Sequence, residues 1–153
     1  MRPRLAVLVA LGALACRGTA QSPSPQSPQQ ALTQFMAAVK DNDLQRLATL
    51  WGGQRGPASA WMKPEELTQR VTVFQIYLNH VGYRVVDGPT TVPGEGTRVR
   101  FNVEIQRANG CSVAFPIELG RARSGAWLVW SFDLANLGNP AQACRPTGTG
   151  TRP

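Results

Sequence analysis

The sequence has 153 residues, a net charge of +7 and a single histidine. Its basic residues are almost all arginines, spread along the chain without a recognised nucleic-acid-binding motif, which argues against nucleic acid as a partner. One histidine and three cysteines supply too few ligands for a metal site, so we expect no metal and no cofactor.

The first fifteen residues are predicted to be an export signal. Arg2 and Arg4 precede an uncharged run of eleven residues from Leu5 to Ala15, built only of Leu, Val, Ala and Gly. A basic start, a short apolar run and small residues after it are the parts of a signal peptide. A bilayer-spanning helix needs about 20 apolar residues, so this run is too short to be one.

Cys16 directly follows the apolar run and leaves two interpretations open. Ala13 and Ala15 fit the small-x-small rule of ordinary signal peptidase, which would release a secreted or periplasmic chain, and a cut after Ala20 is also compatible. The tetrapeptide Ala13-Leu14-Ala15-Cys16 also resembles the lipobox of bacterial lipoproteins. That resemblance implies that Cys16 carries a lipid and holds the protein on a membrane, facing the periplasm or the exterior.

Segments of low complexity flank the predicted domain. Residues 16–27 are rich in Pro, Ser and Gln, which predicts an extended, solvated tether between the anchor and the domain. Residues 145–153, rich in Thr, Gly and Pro, are expected to be disordered. The stretch 28–144 is left for a single domain with its own core.

Three helices are predicted at the start of this domain. Ser27 is the expected N-cap of the first and Pro28 its first helical residue. The segment Asp41-Asn42-Asp43 caps a short second helix, and the third begins at Pro64 and ends with Gly82 as its C-terminal cap. Apolar residues recur at helical spacing in each segment, so each should bury one face.

From Tyr83 onward the apolar period changes to two, which predicts an antiparallel sheet with one apolar and one polar face. The predicted strands cover residues 83–86, 98–106, 111–119 and 128–134. A three-residue loop, 108–110, with Gly110 in the left-handed conformation, keeps the apolar sets of two strands on one face. Trp130 belongs to the apolar set of the last strand.

The cysteine count bears on both the anchor and the fold. Three cysteines leave one thiol spare in an oxidising compartment. If Cys16 carries lipid, Cys111 and Cys144 are free to pair, and the predicted hairpins bring the start of one strand to the edge where the last strand ends. A disulfide between them is therefore predicted, with two unpaired thiols as the alternative.

Two segments carry a family resemblance, Phe35–Leu44 in the helical part and Gly125–Val129 at the last strand. Together with helices that precede a curved antiparallel sheet, they resemble the nuclear transport factor 2-like (cystatin-like) superfamily over about residues 27–134. The resemblance implies an α+β fold shaped as a cone, with a pocket between the N-terminal helices and the concave sheet. Enzymes of that superfamily, such as ketosteroid isomerases and scytalone dehydratases, place an Asp, His or Tyr in the pocket for proton transfer, and their catalytic pattern has no match in this chain.

Five side chains are candidates for a pocket or a binding surface. They are His80, Tyr83, Glu104, Trp127 and Asp133. For His80, at the end of the third helix, we expect a satisfied surface or helix-terminal role. Glu104 and Asp133, like Glu118, alternate with the apolar set, so we expect them in solvent unless that face of the sheet lines a pocket. Trp127 is either an exposed aromatic contact or part of a second small core.

No catalytic set of residues emerges from the sequence. The first hypothesis is therefore a binding or interaction domain of the bacterial cell envelope, with an envelope protein, a small apolar ligand or a second copy docked through the sheet as its partner. The alternative is a small isomerase- or dehydratase-like enzyme that uses the family pocket. The arginines between residues 98 and 123 are interpreted as a solvated face, with anionic lipid head groups as the alternative contact.

Overall fold

The domain begins with a capped helix, α1 (Pro28–Lys40), in which the Ser27 hydroxyl accepts a hydrogen bond from the Gln30 amide as predicted. The computed structural model describes residues 23–142 and residue 144, and all structural statements concern these residues. The predicted signal 1–15, Cys16 and the tail 145–153 lie outside them.

Two further helices follow as predicted. The carboxylate of Asp43 caps α2 (Leu44–Leu50) by accepting a hydrogen bond from the Arg46 amide. A small hairpin of β1 (Gly52–Gly53) and β2 (Gly56–Pro57), with a 3-10 turn after it, leads to α3 (Pro64–Leu78). The apolar sides of all three helices are buried against the sheet, as the helical spacing indicates.

The end of α3 differs from the prediction. The helix ends at Leu78 with Asn79 as its C-cap, and Asn79 is already extended, with ψ at 130°. The amide of Val81 donates to the carbonyl of Gln106 over 2.8 Å, so sheet pairing begins where a left-handed glycine cap was expected. Gly82 is therefore the first residue of a strand and not a helix cap.

The first long strand, β3 (Gly82–Thr91), is more than twice as long as the predicted strand 83–86. It pairs with β4 (Arg98–Gln106), and its register shifts twice, between Val85 and Asp87 and between Asp87 and Thr90. Each shift breaks the period of two, so the alternation that marks a strand in the sequence is lost after Val86.

The hairpin between β4 and β5 (Ser112–Arg121) is confirmed in its register. Ile105 faces Val113 and Phe101 faces Ile117, so both apolar sets lie on the face that packs against the helices. Gly110 has a φ of 83° in a three-residue loop, as the register argument requires. We call the face of the sheet that is covered by the helices the inner face and the opposite one the outer face.

The last strand, β6 (Trp127–Phe132), corrects the prediction for Trp130. Val129 faces Leu119 and Ser131 faces Glu118, so Trp130 is the extra residue of a bulge. Its ring lies against the backbone of Gly120 on the outer face, while Phe132 beyond the bulge turns back to the core. The sheet order is β3-β4-β5-β6, and α4 (Leu134–Leu137) follows.

The final part of the predicted tether is in contact with the domain. Pro25 is buried, and its carbonyl accepts a hydrogen bond from the Trp127 amide over 2.9 Å. The Gln34 side chain also reaches the carbonyl of Pro23 over 3.4 Å. The solvated tether predicted for residues 16–27 therefore does not extend to residue 27.

Candidate functional site

Packed side chains occupy the space between the helices and the inner face, where the family resemblance places a pocket. The side chains of Phe35, Phe101 and Phe115 are at most 2% exposed. Phe74 stands edge-on to Trp51 and to Phe132, with ring centroids 4.8 and 4.9 Å apart. These distances are those of an aromatic core. Within the described residues, the polar or charged residues buried in the domain are His80 and Arg107.

His80 has the satisfied helix-terminal role that was one of its two expected roles, but it is buried and not at the surface. It is 5% exposed, and its Nδ1 donates to the carbonyl of Leu78 over 2.9 Å. The ring stands edge-on to Tyr83 at 5.7 Å. Burial lowers the pKa of His80 below its ordinary value, because a charged imidazolium is poorly solvated there, and the nearby Lys40 charge acts in the same direction.

Arg107 is buried and structural, which corrects its assignment, with the other arginines between residues 98 and 123, to a solvated face. Its Nη2 donates to the carbonyls of Leu137 and Tyr77, over 2.8 and 3.2 Å. These carbonyls belong to the last turns of α4 and α3, where the helix dipole favours a cation. Burial lowers the pKa of Arg107 from its ordinary value. The guanidinium thus joins two helix ends to the β4–β5 hairpin.

The predicted disulfide lies beside the same hairpin. Cys111 and Cys144 are bonded, with their Cα atoms 5.4 Å apart. The bridge holds the C-terminal end of the domain at the loop between β4 and β5.

Glu104 and Trp127 lie apart from each other and from His80. Glu104 is on the outer face, where it accepts two hydrogen bonds from Arg84 over 2.9 and 3.0 Å. Trp127 is half-buried and packs against the main core. It therefore belongs to neither of the two surroundings considered for it, an exposed contact or a separate small core.

The outer face carries an open groove of about 510 Å³ near the end of β6. We call it the outer groove. Its lining residues are Arg100, Pro116, Glu118, Ser131, Phe132 and Asp133. It combines two carboxylates, a guanidinium and a hydroxyl with the apolar surfaces of a proline and a phenylalanine.

Glu118 is the centre of the hydrogen bonding in the outer groove. It accepts from Nη2 of Arg100 over 2.6 Å and from the Ser131 hydroxyl over 3.2 Å. The Arg100 hydrogen bond lowers the pKa of Glu118 below its ordinary value and outweighs the opposing effect of partial burial. The carboxylate is therefore ionised at neutral pH.

A cation-aromatic pair lies next to Glu118. The guanidinium of Arg98 is 4.6 Å from the ring centroid of Trp130 and 3.8 Å from the Glu118 carboxylate. Among the described residues, the buried Nε of Arg98 and Nε1 of Trp130 have no acceptor. Two N–H donors beside the groove are thus unpaired among the residues that the structure describes.

Of the five candidate side chains, Asp133 alone lines the outer groove. Its carboxylate accepts hydrogen bonds from the Ala135 amide and the Asn136 side chain, over 2.8 and 3.0 Å, and so caps α4. His80 and Tyr83 meet each other at the opposite end of the domain. The pairing of Arg100 with Glu118 was within reach of the sequence, because the predicted loop sets these residues opposite each other.

The described residues contain neither a candidate membrane-spanning helix nor a candidate metal cluster. No helix there is long and apolar enough to cross a membrane. The same residues contain no group of three or more His, Cys, Asp or Glu side chains placed to hold a metal ion.

The fold and groove together define an α+β domain with a filled interior and a polar outer groove. No protein-family model and no curated protein matches the chain by sequence. Solved structures of similar fold include an NTF2-like transpeptidase from Campylobacter jejuni, at 12% identity and a TM-score of 0.48, over 69% of this chain and 99% of that one. A ketosteroid isomerase from Mycobacterium sp. matches at 16% identity and a TM-score of 0.38, over 74% and 97%. At such identities the likeness concerns the fold alone.

Proposed function

We propose that this protein is an exported interaction domain of the bacterial cell envelope, anchored by lipid at Cys16, that binds a protein partner in the outer groove. The observation that carries the binding part is the outer groove itself. It gathers Arg100, Glu118, Ser131 and Asp133 on one open surface, while the inner face is occupied by the core. The anchor rests on the lipobox-like sequence that ends at Cys16.

The composition of the groove favours a protein partner over a small apolar ligand. Charged groups at its floor are held in place by each other, since Glu118 is fixed by Arg100 and Ser131. Fixed charges give specificity towards a polar partner, and the adjoining Pro116 supplies apolar contact. A small apolar ligand would instead need an enclosed apolar cavity.

The isomerase- or dehydratase-like alternative would draw on His80 and Tyr83, whose rings are in contact. Nδ1 of His80 is engaged with the Leu78 carbonyl and the ring is buried, so we assign these residues a structural role.

Site-specific photo-crosslinking in the native host tests the proposed surface. A photoreactive phenylalanine at Ser131, in the outer groove, should give a discrete crosslinked product. The same residue at Ser112, which is also exposed but lies on β5 at the far end of the sheet, is the matched control. A product of twice the chain mass would identify a second copy as the partner. Equal crosslinking from both positions, or none from Ser131, would contradict the proposal.

A further inference from the structure

A group of exposed basic and aromatic side chains lies at one end of the domain, away from the outer groove. We call it the basic rim and define it as Arg55, Trp61, Arg121 and Arg123. Arg55 and Trp61 belong to the β1–β2 hairpin and the turn after it, and the other two flank the start of the β5–β6 loop. All four are exposed, and Trp61, at 44%, is among the most exposed large apolar residues in the described part of the chain.

Hydrogen bonds and ring contacts hold the basic rim together. The Arg123 amide donates to the carbonyl of Gln54 over 3.1 Å, which joins the β5–β6 loop to the small hairpin. The Arg55 guanidinium lies 4.7 Å from the ring centroid of Trp61. Nε of Arg121 donates to the carbonyl of Gly125 over 3.2 Å. The three cations therefore share one surface.

In the described part of the chain, no carboxylate is paired with the arginines of the basic rim. Residues 51–61 and 119–130 contain no Asp or Glu. Within the described residues, the arginines of the rim form no ion pair, in contrast to Arg84 and Arg100 on the outer face. The Arg121 amide donates a hydrogen bond to the carbonyl of Thr97, in the loop between β3 and β4. The carboxylate of that loop, Glu95, is already paired with Arg98 over 3.0 Å.

The basic rim is also next to the point where the N-terminal segment meets the domain. Pro25 is bonded to the Trp127 amide, at the other end of the loop that carries Arg123. Cys16 lies nine positions before Pro25. Such a length of chain reaches at most about 30 Å when fully extended. A lipid at Cys16 would therefore hold this end of the domain within about one domain diameter of the bilayer.

From these observations we infer that the basic rim docks on the surface of an anionic bilayer, with Trp61 at the level of the head groups. Arginines near a negatively charged leaflet are attracted to it, and tryptophan favours the interface between lipid and water. A lipid chain combined with a basic patch is a stable mode of attachment. The inference builds on the proposed anchor and adds an orientation, in which the rim faces the membrane.

Vesicle sedimentation of the exported chain carrying Cys16→Ser tests the rim without any attached lipid. We expect it to bind vesicles of phosphatidylglycerol and phosphatidylcholine, to release them as salt rises, and not to bind phosphatidylcholine alone. The pair Arg121→Gln and Arg123→Gln should lower the partition coefficient by roughly 25-fold, about fivefold for each arginine. Trp61→Ala should also weaken binding, since it removes the aromatic side chain of the rim.

The matched control is the pair Lys40→Gln and Arg84→Gln, which removes the same charge from the opposite end of the domain. It should leave binding within about twofold of the unmodified chain, since these residues face away from the bilayer. Equal losses in both pairs, or no binding to anionic vesicles, would overturn the inference. Intact mass of the native chain reports separately on lipid at Cys16, so a failed anchor and a failed rim are distinguishable.

Discussion

At the scale of single residues, Gly120 shows how closely the outer face is packed. A Cβ atom at this position would overlap the ring of Trp130. We expect Gly120→Ala to lower the free energy of unfolding by about 1–3 kcal/mol, because the ring must shift away from Arg98. Chemical denaturation measures this. Gly53→Ala is the control, since a Cβ there meets nothing within 4 Å, and an equal effect of the two changes would contradict the packing described.

His80 gives a second test, through pH. Its pKa in the folded state lies below the ordinary value of 6.5. At pH values between the folded-state pKa and 6.5, the unfolded chain therefore binds more protons than the folded chain. The free energy of unfolding should therefore fall as the pH decreases through 6.5 and be level above that range. Glu118 does not interfere, because its lowered pKa places its loss of stabilisation below 4.5.

The measurement is denaturation at several pH values for the unmodified chain and for His80→Gln. His80 is the one histidine in the sequence, so the dependence near 6.5 should disappear in the variant. If the free energy of unfolding of His80→Gln showed the same pH dependence, burial of the His80 ring would not be the cause of that dependence.

At the scale of elements, the β4–β5 hairpin was predictable in detail. Strict alternation in both strands and a Gly110 that suits a left-handed φ leave one register that buries both apolar sets. That register also places Arg100 opposite Glu118, so part of the outer groove follows from the sequence. The starts of the first two helices were predictable as well, because Ser27 and Asp43 cap helices that follow them directly in the sequence.

The other two long strands were predictable in their existence but not in the full length of β3 or the facing of Trp130 in β6, because bulges interrupt the alternation. Trp130 has the spacing of a core residue, and only the extra residue in β6 turns it to the outer face. Arg98, which stacks on it, carries no mark of this contact in the sequence. In β3 two register shifts end the alternation after Val86. Contacts between distant segments, such as those of Arg107 with two helix ends, have no local pattern at all.

Arg107 provides the prediction at this scale. Arg107→Ala should lower the free energy of unfolding by about 2–4 kcal/mol, since it leaves the carbonyls of Tyr77 and Leu137 without their charged donor. Thermal or chemical denaturation checks the value. Arg84→Ala, which removes an exposed arginine paired with Glu104, should cost less than about 1 kcal/mol. Similar losses for both would argue against the role given to Arg107.

At the scale of the whole molecule, the disulfide closes a long loop. Cys111 and Cys144 are 33 positions apart, and constraining a loop of this length in the unfolded chain stabilises the fold by about 3–4 kcal/mol. The double variant Cys111→Ser and Cys144→Ser should show a loss of that size in denaturation. An unfolding midpoint that is the same before and after thiol reduction would contradict a stabilising bridge.

The proposed anchor, outer groove and basic rim form one picture of the molecule. The rim would face the bilayer, while the groove on the outer face of the sheet would stay open to a partner. In this arrangement a tether of nine residues before Pro25 is sufficient. The whole account depends first on whether Cys16 carries lipid.

Intact mass spectrometry of membrane and soluble fractions from the native host tests this most directly. The account predicts a membrane-bound chain that begins at Cys16 and carries the added mass of a diacylglyceryl group. A soluble, unlipidated chain that begins at Cys16 or Gln21 would contradict it, and the partner would then have to be sought in the periplasm or the medium.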